Sequence, residues 1–332
     1  MSATQINDLI FKELIKRGYS LDGNTRVWNI ADSKLWYLTP KQAQAYLDLL
    51  DSETYKSDFG PKEMTLIGKN LGKILKMVGK GSLNIVDLGC GDGRKVVLFL
   101  DNLKGKQKIR YCPIDISGYL VEKALERISQ MAVDDVIKFK WNISDFENLE
   151  NVTPLLRWGD YKKSLFLLLG NTLGNFEFHE LLYQIRDSMS PGDYLLIGNG
   201  IDNGLVDEDV VAFLKKSNPF YEFFVKVLTE IGLEKKELEF DIRFRNSRIE
   251  YAFVLKKDAK IVFQDKKVDL FEGDQIIVGY TYHFSKEELK RYLKIYFDKV
   301  EMIMSGDGSY TLALCKVGEP FGFGRILKGK AK

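Results

Sequence analysis

The sequence predicts an α/β protein: a doubly wound, mostly parallel sheet with a β-rich, mixed segment inserted before its last elements. Three observations carry this reading. Short apolar runs alternate with amphipathic helical stretches across residues 63–200, the pattern of a parallel sheet covered on both faces. One run ends in the glycine-dense turn "GCGDG". After about Ile201 the texture changes to aromatic, alternating segments joined by polar turns, as antiparallel strands require.

The elements follow in order. From Glu63 to Val78, residues Leu66, Ile67, Leu71, Ile74, Leu75 and Val78 fall on one helical face,. "LNIVDLG" is a short buried strand ending in glycine, and "YLVEKALERISQM" is a helix with Leu120, Val121, Ala124, Leu125 and Ile128 in one stripe. "VIKFKWNISDF" and "SLFLLLG" read as further strands. "HELLYQIRDSM" is a helix with Leu181, Leu182, Ile185 and Met189 aligned, and "SPGD" turns it into the strand "YLLIGNG". Beyond it come a helix in "NPFYEFFVKVLTEIG" and strands in "EFDIRFRNSRIEYAFVL", "AKIVFQ" and "DQIIVGYTYHF". "SKEELKRYLKIYF" restores a helix, with Ser285 and Glu288 as a capping box,. "KVEMIMSGDGSYTLALCKV" closes as a hairpin. The expected organisation is a core of 63–200 and 285–320, with 1–62 and 201–284 forming an acceptor-binding part.

Bulk composition narrows the function. Of 332 residues, 45% are hydrophobic and 29% charged, an ordinary globular mixture,. A net charge of +2 with interleaved signs carries no footprint for nucleic acid or an acidic membrane,. Cys90, Cys112 and Cys315 are too scattered for a disulfide framework, and His179 and His283 are the only histidines, so no metal site is expected. The N-terminal residues lack a signal-peptide core and no apolar run reaches membrane-spanning length,; a cytoplasmic location is the expectation.

The chemistry concentrates in "IVDLGCGDGRK". Gly89, Gly91 and Gly93 let a ligand approach the backbone where a strand hands over to a helix N-terminus,. Asp115 follows at the end of the next strand, roughly twenty positions on, where a carboxylate can accept both hydroxyls of a ribose,. The glycines fall as G-x-G-x-G with Asp87 two residues ahead, which does not fit the dinucleotide fingerprint G-x-G-x-x-G,. A turn that simply closes a strand–helix unit would use the same glycines.

The "DLGCGDG" pattern resembles that of the class I S-adenosylmethionine-dependent methyltransferases, whose Rossmann-like core this segment matches. That resemblance implies that Asp87, Gly89, Gly91 and Gly93 surround the methionine and ribose portions of the cofactor, that Asp115 holds the ribose, and that Asp145 in "NISDF" reaches the adenine amino group. An aspartate that opens a loop is also a common turn residue. The chemistry would be in-line methyl transfer from a sulfonium, in which alignment and exclusion of water matter more than an acid or base.

"GNTLGNFEFHELLYQIRDSMSPGDYLLIG" differs from the (D/N)PP(Y/F) strand end of enzymes that methylate nucleobases or glutamine. It resembles instead the histidine-specific methyltransferase family, where the pattern is close to "GxTIGNx" followed by a helix and "PGDxLLxG". That family's best-known member trimethylates the α-amino group of histidine, and fungal relatives methylate the amine of a prenylated tryptophan. The resemblance implies that Gly170 lies beside the cofactor and that Asn175 grips the amino or carboxylate group of the acceptor; an asparagine after Gly174 also suits a left-handed turn,. Tyr55 in "ETYKSDFGPKE" falls near a family tyrosine that contacts the acceptor.

The chain departs from the family before the late helix. Aligning on Phe284 puts Gly279 and Thr281 where the family has the glutamate and serine that recognise imidazole. That departure argues against histidine as acceptor. Tyr251, Tyr280 and Tyr282 nearby suit a flat acceptor or a methylated ammonium, and equally a β-rich core,. The expected activity is N-methylation of a small-molecule amine, an amino acid or derivative. The alternatives are a protein acceptor or a non-catalytic S-adenosylmethionine-binding role.

Overall fold

The computed structural model describes residues 6–58, 60–131, 133–138, 146–202, 204 and 208–318. The N-terminal part comprises α1 (Asp8–Arg17), the hairpin β1 (Tyr19–Asp22) and β2 (Thr25–Asn29), then α2 (Pro40–Asp51), α3 (Glu53–Asp58) and α4 (Gly60–Val78). Local chemistry starts these helices cleanly. Asn7 accepts the Leu9 and Ile10 amides, and Thr39 and Gln42 form a capping box ahead of Pro40,.

Next come β3 (Leu83–Leu88), α5 (Val96–Leu103), β4 (Ile109–Ile114), α6 (Gly118–Ser129), the two-residue β5 (Asp135–Val136), α7 (Leu149–Val152), β6 (Lys163–Leu168), α8 (Phe178–Ser188) and β7 (Tyr194–Gly200). The strand expected in "VIKFKWNISDF" is described only at its start, and residues 139–145 lie outside the described part. After α9 (Glu208–Lys216) and α10 (Asn218–Thr229) come β8 (Leu238–Arg245), β9 (Arg248–Leu255), β10 (Ala259–Phe263), β11 (Lys266–Leu270) and β12 (Gln275–Tyr282). The chain closes with α11 (Lys286–Tyr296), β13 (Lys299–Met304) and β14 (Tyr310–Lys316).

One sheet runs β13-β14-β7-β6-β3-β4-β5, parallel from β7 to β5, with β14 antiparallel to β7. Alternation along each strand sends residues to two cores. Ile85, Leu165 and Leu196 meet α4 and α5, whereas Val86, Phe166 and Ile197 meet α8 and α11,. The chain winds outward through β4 and β5, then restarts at β6 on the other side of β3. Such a reversal leaves a crevice at the carboxyl ends of its two middle strands, here β3 and β6.

A second sheet runs β1-β2-β12-β9-β8, and β10 pairs only with β11. The N-terminal strands, absent from the sequence-based expectation, enter this sheet through parallel pairing of β2 with β12. Ile10, Phe11 and Leu14 of α1, Trp28, Phe223 and Phe224 of α10, and Phe253 share its core. Part of the N-terminal segment therefore packs with the stretch after residue 201. Among the described residues no helix is long and apolar enough to cross a membrane.

Candidate active site

The crevice begins with the glycine turn. β3 is buried throughout, and the Gly89 and Cys90 amides both donate to the Ile114 carbonyl at 2.8 and 3.2 Å, which folds the turn against the end of β4. Gly89, Gly91 and Gly93 all hold positive φ, at 68°, 53° and 75°, a region closed to most side chains. Their surroundings differ. A Cβ at Gly93 would press on Ala124 of α6 at 3.1 Å, while at Gly89 the nearest atom would be 3.7 Å away. Gly93 thus serves helix packing, whereas a Cβ at Gly89 or Gly91 would make only ordinary contacts, with Thr172 and Phe146 or with Tyr46.

Asp115 lies under this turn. Its Oδ2 accepts the Gly91 amide at 3.1 Å and its Oδ1 the Ser117 amide at 3.0 Å. Burial pushes its carboxyl up to about 6, against the pull of those amides,. Asp87 is buried behind the turn, where the Tyr111 hydroxyl donates to it at 3.1 Å; burial pushes it up to about 7. Asp145 lies outside the described residues, and its neighbour Phe146 borders the crevice.

A cavity of about 320 Å³ opens from this point toward the second sheet. Gly89, Gly91, Asp115 and Asn175 line it together, although they come from three separate parts of the sequence. Asn175 ends the short 3-10 turn Thr172–Asn175, and the Thr281 hydroxyl donates to its Oδ1 at 2.9 Å. The left-handed residue of this segment is Asn171, with φ 63°, whose Oδ1 accepts the Gly200 amide at 2.9 Å. Asn175 is thereby left for the cavity wall.

Other residues singled out by sequence sit behind that wall. The Gly170 amide donates to Glu63 Oε1 at 2.8 Å, and a Cβ there would lie 2.5 Å from Lys95 Nζ. Tyr251 is buried and stacked on Phe224 with ring centroids 4.1 Å apart. Gly279 lies against the Trp36 indole, which a Cβ would overlap. Tyr55 packs, as Tyr37 and Tyr46 do, on the cluster of Ala43, Leu47, Leu50 and Leu120, and those two other tyrosines reach the cavity.

Sequence reasoning missed several wall residues. Tyr37 and Tyr46 arrive from the N-terminal segment, Asn29 from β2, Arg248 from β9 and Glu177 from the start of α8. It also missed the buried pair of Lys95 Nζ with Glu63 Oε2 at 2.5 Å, which backs the turn. The lysine of "GDGRK" was visible as a residue, but its partner is 32 positions away (95 − 63) on another element.

No curated protein matches the chain. An S-adenosylmethionine-dependent methyltransferase from Clostridium acetobutylicum is similar in structure, at 11% identity and a TM-score of 0.43, over 83% of this chain and 98% of that one. Streptomyces venezuelae DesVI is similar at 11% identity and 0.39, over 82% and 98%. Human N-acetylserotonin methyltransferase, solved in complex with S-adenosylmethionine, is similar at 13% identity and 0.41, over 83% and 59%. The model of the histidine-specific, S-adenosylmethionine-dependent methyltransferase family matches residues 52–317. This chain belongs to that family and is an S-adenosylmethionine-dependent methyltransferase.

Proposed function

We propose that the enzyme methylates the amine of a small molecule, an amino acid or a close derivative, inside the cavity between its two sheets. The observation that carries this reading is that one cavity of about 320 Å³ is bordered by the glycine turn and Asp115 on one side and by Asn175, Arg248 and Tyr280 on the other. That volume is of the order of small-ligand sites, roughly 300–1,000 Å³.

The residues present fit S-adenosylmethionine. Asp115 is a buried carboxylate already oriented by two backbone amides, so it can receive hydroxyl donors without reorganising,. Gly89 and Gly91 leave room for close approach of the methionine and ribose portions. When bound, the cofactor supplies an electrophilic methyl group on sulfur. The chain's part is alignment, which recovers roughly 7–11 kcal/mol of barrier in well-oriented systems.

Asn175 carries that alignment. With its carbonyl oxygen occupied by Thr281, its amide N–H groups turn to the acceptor, where they suit the carboxylate of an amino acid,. Tyr37, Tyr46, Phe146 and Phe176 exclude water around it,. The second sheet and the N-terminal segment supply the acceptor side. Trp36 fills the space beside Gly279, so no carboxylate stands there for an imidazole, and histidine is disfavoured.

The test is a binding screen of amino acids and biogenic amines in the presence of S-adenosylhomocysteine, followed by mass spectrometry for added methyl groups. Asp115→Ala is expected to lose cofactor binding. Asn175→Ala is expected to bind the cofactor normally and lose turnover by about a hundredfold. Normal turnover in Asn175→Ala would exclude the role given to it.

A further inference from the structure

The start of α8 places a carboxylate in the acceptor side of the cavity with an unusual set of partners. Glu177 occupies the N-cap position of α8, yet its side chain caps none of the helix amides. It turns instead to β12. The Tyr280 hydroxyl donates to Oε1 at 2.9 Å, and the Tyr282 hydroxyl approaches both oxygens at 3.3 Å. Two phenols hold the carboxylate in place without neutralising it, and among the described residues no cation pairs with it.

The residues around it define the ligand chemistry it suits. Glu180 and Gln184 follow Glu177 along the same helical face, and all three line the cavity,. The cationic wall residues are Arg17, Lys34 and Arg248. Arg17 is committed to Glu13 at 2.7 Å and Arg248 to Glu250 at 2.9 Å, the Arg248 guanidinium also lying 4.8 Å from the centre of the Tyr280 ring. The α8 rim of the cavity therefore presents the carboxylates of Glu177 and Glu180 beside the Tyr280 and Tyr282 phenols, a combination that suits an ammonium group,.

Asn175 and Glu177 both line the cavity two residues apart in the chain, and both are tied to β12, Asn175 through Thr281 and Glu177 through Tyr280 and Tyr282.

We propose that Glu177, held by Tyr280 and Tyr282, is a specificity-determining residue that selects acceptors bearing a second ammonium group, that is, basic amino acids or diamines. This rests on the reading of the enzyme as a small-molecule amine methyltransferase and names its substrate class. Glu177 binds the distal ammonium, and the amine nearer Asn175 is the one that receives the methyl group.

The experiment compares matched pairs in methyl transfer from S-adenosylmethionine: L-lysine with L-norleucine, L-ornithine with L-norvaline, and 1,4-diaminobutane with butylamine. The amino-acid and diamine arms separate the two sources of the ammonium. In at least one arm the cationic member is expected to show kcat/KM about tenfold or more above its neutral partner, the effect of a charged hydrogen bond. Glu177→Gln, close in shape, is expected to collapse that ratio toward unity through KM while calorimetric binding of S-adenosylhomocysteine stays at the wild-type value. Tyr280→Phe should lower the ratio in the same direction by a smaller factor. Calorimetry of each pair against the S-adenosylhomocysteine-loaded protein reads the preference without turnover. Equal or inverted preference in the wild type overturns the proposal, as does a preference that survives Glu177→Gln. If neutral amines are methylated as well as cationic ones, this selectivity alone fails. If no amine of either kind is methylated, the amine reading fails and the selectivity with it.

Discussion

At the scale of single residues, Asp115 is expected to join folding to the proposed cofactor binding. A carboxylate pushed up to about 6 by burial holds its proton to higher pH in the folded chain than in the unfolded one,. Its contribution to stability is thus present below about pH 4 and is lost as pH rises toward about 6. Cofactor binding through Asp115, as proposed, is expected to run the other way, because only the ionised group can accept two hydroxyls. Affinity for S-adenosylhomocysteine is expected to fall by up to about tenfold per unit below pH 6, in calorimetry at pH 7.5, 6.0 and 5.0. A flat profile would remove Asp115 from the ribose site. Spacing alone identified this residue. Spacing could not separate Gly91, which faces the cavity, from Gly93, which clears Ala124, since both occupy the same turn with the same backbone sign.

Among the elements, β12 shows how one irregularity shapes the acceptor side. Its pairing with β9 slips between Ile277 and Gly279, and the Val278 carbonyl accepts the Trp36 indole N–H at 2.7 Å. Bulges re-aim side chains in this way near active sites. With the indole over Gly279, the next three residues reach α8 and the turn before it: Tyr280 and Tyr282 to Glu177, and Thr281 to Asn175. Gly279→Ala is expected to destabilise the fold by about 1–3 kcal/mol through overpacking against Trp36, measured by urea unfolding, and to weaken acceptor binding in parallel. The glycine was legible as a departure from the family pattern. Its cause was not, because Trp36 is more than two hundred residues away in sequence. The capping box of α11 was legible, since Ser285 and Glu288 bond each other's backbone amides across three residues.

Across the whole molecule, Glu63 ties the layers together. From α4 it accepts the Gly170 amide after β6 at 2.8 Å and the Tyr310 hydroxyl of β14 at 2.7 Å, and it pairs with Lys95 ahead of α5. Gly198 on β7 must lack a side chain, because a Cβ would overlap this carboxylate. Glu63→Ala leaves the partly buried Lys95 without its counter-charge, so a loss of up to about 3–5 kcal/mol is expected in chemical unfolding,. Glu63→Gln should recover part of it by keeping the hydrogen bonds. A loss below 1 kcal/mol in Glu63→Ala would show that the pair is not a structural tie.

The sequence by itself determined the parallel core, the glycine turn, Asp115 and the Gly-Asn segment, because each rests on periodicity or on residues within a few positions of one another. Those are the interactions that local pattern encodes. Tertiary structure alone decided which residues share the cavity. It drew β1 and β2 into the second sheet, placed Trp36 beside Gly279, turned Glu177 from its helix toward two tyrosines, and brought Arg248 and Asn29 to the same wall. The physical reason is that strand pairing and burial join segments without regard to their separation along the chain. An acceptor site built from such segments leaves no local signature in the sequence.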